Sequence, residues 1–125
     1  MILGTGIDLV DIARLRRTLE RNGDRFLTKI LLKNEIDYCQ SQADPALSIA
    51  ARFGAKEAVA KAFGCGIGAQ LGWHDIEVIR SEAGAPSIEL HGRGSALLES
   101  RGASVIHVSL THVKEYAAAF AVLER

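Results

Sequence analysis

Asp44-Pro45-Ala46-Leu47-Ser48-Ile49-Ala50-Ala51-Arg52-Phe53-Gly54-Ala55-Lys56-Glu57-Ala58-Val59-Ala60-Lys61-Ala62-Phe63-Gly64 is the stretch on which the fold turns. Asp is a preferred helix N-cap and Pro suits the first helical position, so this pair opens a helix sharply. Gly64 is placed to close it, because glycine takes the left-handed backbone that ends many helices. Between these ends Leu47, Ile49, Phe53, Val59 and Phe63 spread around the wheel instead of forming one stripe. A helix apolar nearly all round is a buried helix. The rest of the chain is expected to wrap it.

On the N-terminal side, Ile2 to Val10 is apolar and glycine-punctuated, and reads as a strand. Asp11 can cap a helix running to about Arg21, with Gly23 near its end and Ile12, Leu15 and Leu19 as its buried stripe. A short helix is expected over Arg25 to Leu32. Asn34 is placed to cap another over Glu35 to Gln42. Beyond the glycines at 64, 66 and 68 the period drops to two. Ile76 to Ile79 and Ser87 to Leu90 read as strands joined across Gly84-Ala85-Pro86. A short helix over Gly94 to Arg101 follows. Val105 to Thr111 alternates, with Ile106, Val108 and Leu110 on one face. Tyr116 to Leu123, rich in alanine, reads as a strand buried on both sides, reached through a hairpin at His112 to Glu115. The fold class is α+β: an antiparallel sheet against a long central helix and shorter helices, in one domain over 1–125.

The bulk numbers agree and narrow the function. A chain of 125 residues, 48% hydrophobic, can bury a core yet leaves apolar surface for oligomerisation. Fifteen basic residues balance fifteen acidic ones, which argues against a globally basic nucleic-acid binder. Cys39 and Cys65 form no disulfide framework or zinc knuckle and read as reduced thiols. Met1 to Gly6 has no basic n-region, and Asp8 comes too early for a signal peptide. No apolar run reaches membrane-spanning length. A cytoplasmic protein, neither membrane-bound nor nucleic-acid-binding, is expected.

Asp8 interrupts an apolar run, where an unpaired carboxylate is costly to bury. It either caps the turn, which Asp11 does better, or does metal or acid–base work. Glu57 has Ala50, Gly54 and Lys61 as wheel neighbours, and the small ones let something approach the helix. Standing alone, the helix would carry Glu57–Lys61 as an ordinary solvated pair; an all-round apolar helix leaves little room for that. Gly64-Cys65-Gly66-Ile67-Gly68 is no phosphate loop, since it follows a helix C-terminus, whose dipole repels anions. His74, His91, His107 and His112 lack zinc spacing. His112 beside Ser109 and Thr111 either contacts a phosphate or bonds a turn.

Three blocks resemble one known family. Gly6-Ile7-Asp8-Leu9-Val10-Asp11-Ile12-Ala13-Arg14-Leu15 is similar to the first signature of holo-acyl-carrier-protein synthases, members of the 4'-phosphopantetheinyl transferases. Arg52 to Gly64, continued by Gly66-Ile67-Gly68, resembles the second. His107 to His112 with Tyr116-Ala117-Ala118-Ala119 resembles the third. The blocks stand in family order across nearly the whole chain. Gly54, Cys65 and Val113 depart from the usual pattern.

That resemblance implies the 4'-phosphopantetheinyl transferase fold and an Mg²⁺ ion held by Asp8 and Glu57. Mg²⁺ would also bind the pyrophosphate of coenzyme A, the substrate. Two carboxylates fit an ion that keeps waters and binds substrate phosphates. The implied reaction moves 4'-phosphopantetheine from coenzyme A to a serine of apo-acyl carrier protein, releasing 3',5'-ADP and serving fatty acid biosynthesis. Glu57 and Lys61 match catalytic positions; either Glu57 or a metal-bound water could take the serine proton. Lys61, Arg52, Gly64, Pro86 and His112 match positions lining the coenzyme site. Acyl carrier proteins are acidic, and the basic face at Arg14, Arg17, Arg21 and Arg25 would dock one. The family forms trimers with active sites between subunits. Two other classes compete: a metal-dependent phosphohydrolase using Asp8, Glu57 and Lys61, and an oligomeric binding module in which both acids merely pair with cations.

Overall fold

The computed structural model describes residues 1–81 and 83–125. Strand β1 (Ile2–Asp11) leads into helix α1 (Ile12–Ile30), followed by α2 (Lys33–Gln40) and the central helix α3 (Pro45–Ala62). A short 3₁₀ turn (Trp73–Asp75) introduces β2 (Ile76–Arg80) and β3 (Pro86–Leu90); α4 (Arg93–Ser100), β4 (Val105–His112) and β5 (Tyr116–Glu124) complete the chain. The α+β class holds, with β1, β5 and β4 forming one antiparallel sheet and β2–β3 a separate hairpin.

Helix α3 is the centre. Ala50, Ala55, Ala58, Val59 and Ala60 are fully buried, as an all-round apolar helix must be. Alanine on α3 and glycine on β1 let the two backbones touch. A Cβ at Gly4 or Gly6 would strike the carbonyls of Ala62 and Ala58. This close seat fixes which way β1 faces. Alternate residues turn Gly4, Gly6, Asp8 and Val10 toward α3 and leave Ile7 and Leu9 outward, 65% and 67% exposed.

Three local expectations need correction. The two expected N-terminal helices run together as α1, with only Gly23 off the helical path at φ 40°. Asn34 lies inside α2; its N-cap is Leu32, whose N–H is taken by the Glu35 carboxylate at 2.8 Å. Strand β5 is not buried on both sides. Ala117, Ala119, Ala121 and Leu123 are buried, whereas Tyr116 and Phe120 on the other face are 47% and 44% exposed. Among the described residues, nothing covers the sheet face that carries Ile7, Leu9 and Phe120.

Candidate active site

Strand β1 and helix α3 bring Asp8, Glu57 and Lys61 together. Lys61 Nζ donates to Asp8 Oδ1 and to the Ile7 carbonyl, each at 3.0 Å. The Asp8 side chain is only 14% exposed. Glu57 is held above the ordinary carboxylate range, first by burial and then by the negative charge of Asp8, while Lys61 pulls the other way. Two acids thus share one cation and retain a surplus negative charge at the edge of the fold. A Cβ at Gly54 would lie 3.7 Å from Asp8 Oδ2 and 3.2 Å from Val10. Glycine here gives the acids slightly more room than alanine would.

The helix exit adds a second feature. Gly64 takes φ 80°, and Cys65 and Gly66 both donate their N–H to the Ala60 carbonyl. The Cys65 thiol points to that same carbonyl at 3.9 Å, so its departure from pattern costs no buried donor. A cavity of about 420 Å³ opens there, with Thr5, Lys61, Gly64 and Arg101 among its walls. Arg101 donates to the Phe63 carbonyl at 2.7 Å, placing a cation at the negative end of α3. Sequence reading missed Arg101, because nothing in the 93–101 segment foretells where its last turn docks.

Arg52 lies elsewhere. Five residues before Glu57, it projects about 140° around α3 from it. It is 2% exposed and lines a cavity of about 560 Å³ with Asn34, Glu35, Tyr38, Arg80 and Ser81. Its guanidinium carbon sits 4.2 Å from the Tyr38 ring centre. Pro86 opens β3 opposite Arg80, at the rim of this region. His112 stands at the exposed end of β4, in register with Ala117. The single chain therefore unites Asp8, Glu57 and Lys61, with Gly64 sharing a cavity with Lys61 alone, and carries Arg52 with Pro86, and His112, elsewhere.

The family model of the 4'-phosphopantetheinyl transferase superfamily matches residues 4–121. The chain belongs to that superfamily. Among its curated members, the holo-[acyl-carrier-protein] synthase of Koribacter versatilis (strain Ellin345) is 44% identical over 124 residues, 99% of each chain. The crystal structure of holo-[acyl-carrier-protein] synthase from Neisseria meningitidis matches with a TM-score of 0.94 at 32% identity, covering 100% of both chains. That from Helicobacter pylori, in complex with coenzyme A, matches at 0.86 and 32% identity over 96% of this chain and 99% of its own. The fold is the transferase fold, and the chain is an enzyme, a phosphopantetheinyl transferase.

In this phosphopantetheinyl transferase, do the acids suit a cation? The surplus charge on Asp8 and Glu57, with one lysine between them, says that they do, and the all-oxygen donor set is that of Mg²⁺. A three-donor group also exists on the β2–β3 hairpin, where Glu77, Glu89 and His91 converge. Glu77 there already accepts from His91 Nε2 at 2.7 Å. Spacing alone hid it, since Glu77 joins through hairpin register.

The basic face of α1 is present: Arg14, Arg17, Arg21 and Arg25 are all exposed. Arg16 is not part of it, being held in two bonds by Asp44 at 3.1 and 2.7 Å. Arg14 borders a cleft of about 400 Å³ that also touches Leu9, Val10 and Phe53, next to Asp8 along β1. Among the described residues, no helix is long and apolar enough to cross a membrane.

Proposed function

We propose that this enzyme transfers 4'-phosphopantetheine from coenzyme A to a serine of apo-acyl carrier protein, in an Mg²⁺-dependent reaction serving fatty acid biosynthesis in the cytoplasm. The observation that carries this is the Asp8–Glu57 pair with Lys61, whose combined charge is still negative. Asp8 and Glu57 would hold Mg²⁺, which supplies positive charge to the diphosphate of the substrate. Lys61 adds a second cation on the same side, and Arg101 a third beside Gly64. In the reaction a serine oxygen–phosphorus bond forms and the bridging phosphorus–oxygen bond breaks, releasing 3',5'-ADP. Glu57 or a water on the ion would accept the serine proton. Arg14, Arg17, Arg21 and Arg25 dock the acidic carrier beside the cleft.

The scattered coenzyme-site residues favour a homotrimer. The cavity at Arg52, with Pro86 at its rim, and His112 open in other directions from Glu57, and a site built between copies reunites such patches. The outward sheet face with Ile7, Leu9 and Phe120 is the apolar surface such an assembly needs.

Mass spectrometry of an apo carrier protein incubated with the enzyme, coenzyme A and Mg²⁺ tests the reading. A phosphopantetheine mass gain that chelator abolishes is expected. Loss of coenzyme A without any gain on the carrier would mark a hydrolase instead.

A further inference from the structure

The cavity at Arg52 contains a positive charge that the described residues leave unanswered. Arg52 is 2% exposed, and its Nε has no hydrogen-bond partner among the described residues. None of the ion pairs among those residues includes it. A buried cation without an acceptor is costly unless a ligand brings the negative charge.

Among the described residues two acids line the same cavity, and neither answers Arg52. Glu35 accepts from Lys56, from the Leu32 N–H and from the Val78 N–H. Glu77 accepts from His91. What meets Arg52 is Tyr38, with its ring centre 4.2 Å from the guanidinium carbon. Arg80 approaches the same ring at 5.9 Å, while its Nη1 donates to the Gly84 carbonyl at 2.8 Å. An aromatic face attracts a guanidinium without consuming its N–H donors. A carboxylate in the place of Tyr38 would take two of the five N–H donors and cancel the charge that attracts an anion.

We propose that Tyr38 is a positioning residue: it holds Arg52, with Arg80 beside it, so that their N–H donors receive a phosphate group of the coenzyme. This rests on the reading of coenzyme A as substrate. Tyr38 lies outside the three blocks of sequence that resemble the family's signatures.

Calorimetry with coenzyme A and transfer kinetics test it. Tyr38→Leu should raise Kd and KM for coenzyme A about five- to tenfold, leaving kcat and the carrier KM within about twofold. Tyr38→Phe, which keeps the ring, should restore both. In an Arg52→Ala background Tyr38→Leu should lose most of its effect, because Arg52 is the nearer guanidinium to the ring. Additive losses, or equal damage to the carrier KM, overturn the role. Should Tyr38→Leu fail to fold, fluorinated phenylalanines at position 38 replace it: affinity should fall as fluorines drain the ring, and a flat series overturns the role. Wild-type protein that binds no coenzyme A refutes the functional reading itself. Wild-type binding with an unaffected Tyr38→Leu refutes only the positioning.

Discussion

Lys56 and Glu57 are neighbours on α3 and live in opposite electrostatic worlds. Lys56 is fully buried, and its ammonium donates to Glu35 at 2.6 Å, to the Ile30 carbonyl at 2.7 Å and to the Trp73 carbonyl at 3.0 Å. Burial pushes its pKa down, and Glu35 opposes the fall. Every proton of the ammonium is used, and Glu35 is equally occupied. Glu57 faces Asp8, a like charge, with Lys61 too few to balance both. The first arrangement ties α1, α2, α3 and β2 into one body. The second leaves a deficit that an incoming cation can fill. A saturated charge is structural; an unsatisfied one at a cleft is where chemistry belongs.

Breaking the saturated side should produce the largest effect. Lys56→Met strands the Glu35 carboxylate in the interior and should cost about 3–5 kcal/mol in urea unfolding. Adding Glu35→Gln should recover part of that loss, since the amide is neutral. A single variant as stable as the wild type would deny the pair its role.

The unsatisfied side should answer in the opposite sense. Glu57→Gln should cut kcat about 10²–10³-fold, or about 2.7–4 kcal/mol, while the metal-free protein melts about 1–3 °C higher. Glu57 binds its proton more tightly folded than unfolded, so its ionised form costs stability. That cost is present at neutral pH and is relieved as pH falls through the folded value. The gain in melting temperature should therefore shrink at pH 5. Destabilisation at both pH values would place Glu57 with the structural charges.

Filling the deficit comes next. Mg²⁺ at one hundred times its Kd should stabilise the protein by about 2.7 kcal/mol, read as a rise in melting temperature. The rise should be larger at pH 8 than at pH 5, since protons compete with the metal for Glu57 as pH falls, and Asp8→Asn should abolish it. A rise that survives Asp8→Asn would move the metal elsewhere, the Glu77–Glu89–His91 group being the first place to look. The smallest effect concerns the α1 face. Arg14→Glu should raise KM for carrier protein about tenfold, about 1.4 kcal/mol, and leave that for coenzyme A unchanged. Equal effects on both substrates would remove Arg14 from docking.

Much of the fold was legible because local signals were strong. Asp44-Pro45 and Gly64 bracket α3, although the Asp44 carboxylate bonds Arg16 and makes no cap bond, and the strands at Ile76–Arg80 and Pro86–Leu90 follow their period of two. Errors arose where a signal has two meanings. Alanine in β5 suggested burial on both faces, yet alternate residues there carry Tyr116 and Phe120 outward. Asn34 looked like a cap, but Glu35 reaches back to do that work. Asp8, Glu57 and Lys61 could be found from an acid out of place in a strand and a carboxylate on a buried helix. Arg101 and Tyr38 could not, since an arginine ending a helix and a tyrosine in one are unremarkable until their neighbours are known.

The sequence by itself determined the central helix, the class of fold and the two acids, because each of these follows from short-range chemistry: caps, periodicity, and a charge where apolar residues should be. Only the tertiary structure decided how those charges divide. Lys56 and Glu57 differ by one position and about 100° of helix rotation, and that rotation sends one into the saturating grasp of Glu35 and the other against Asp8. Solvation and pairing depend on what chain-distant elements bring to each side of α3, and no local pattern encodes that.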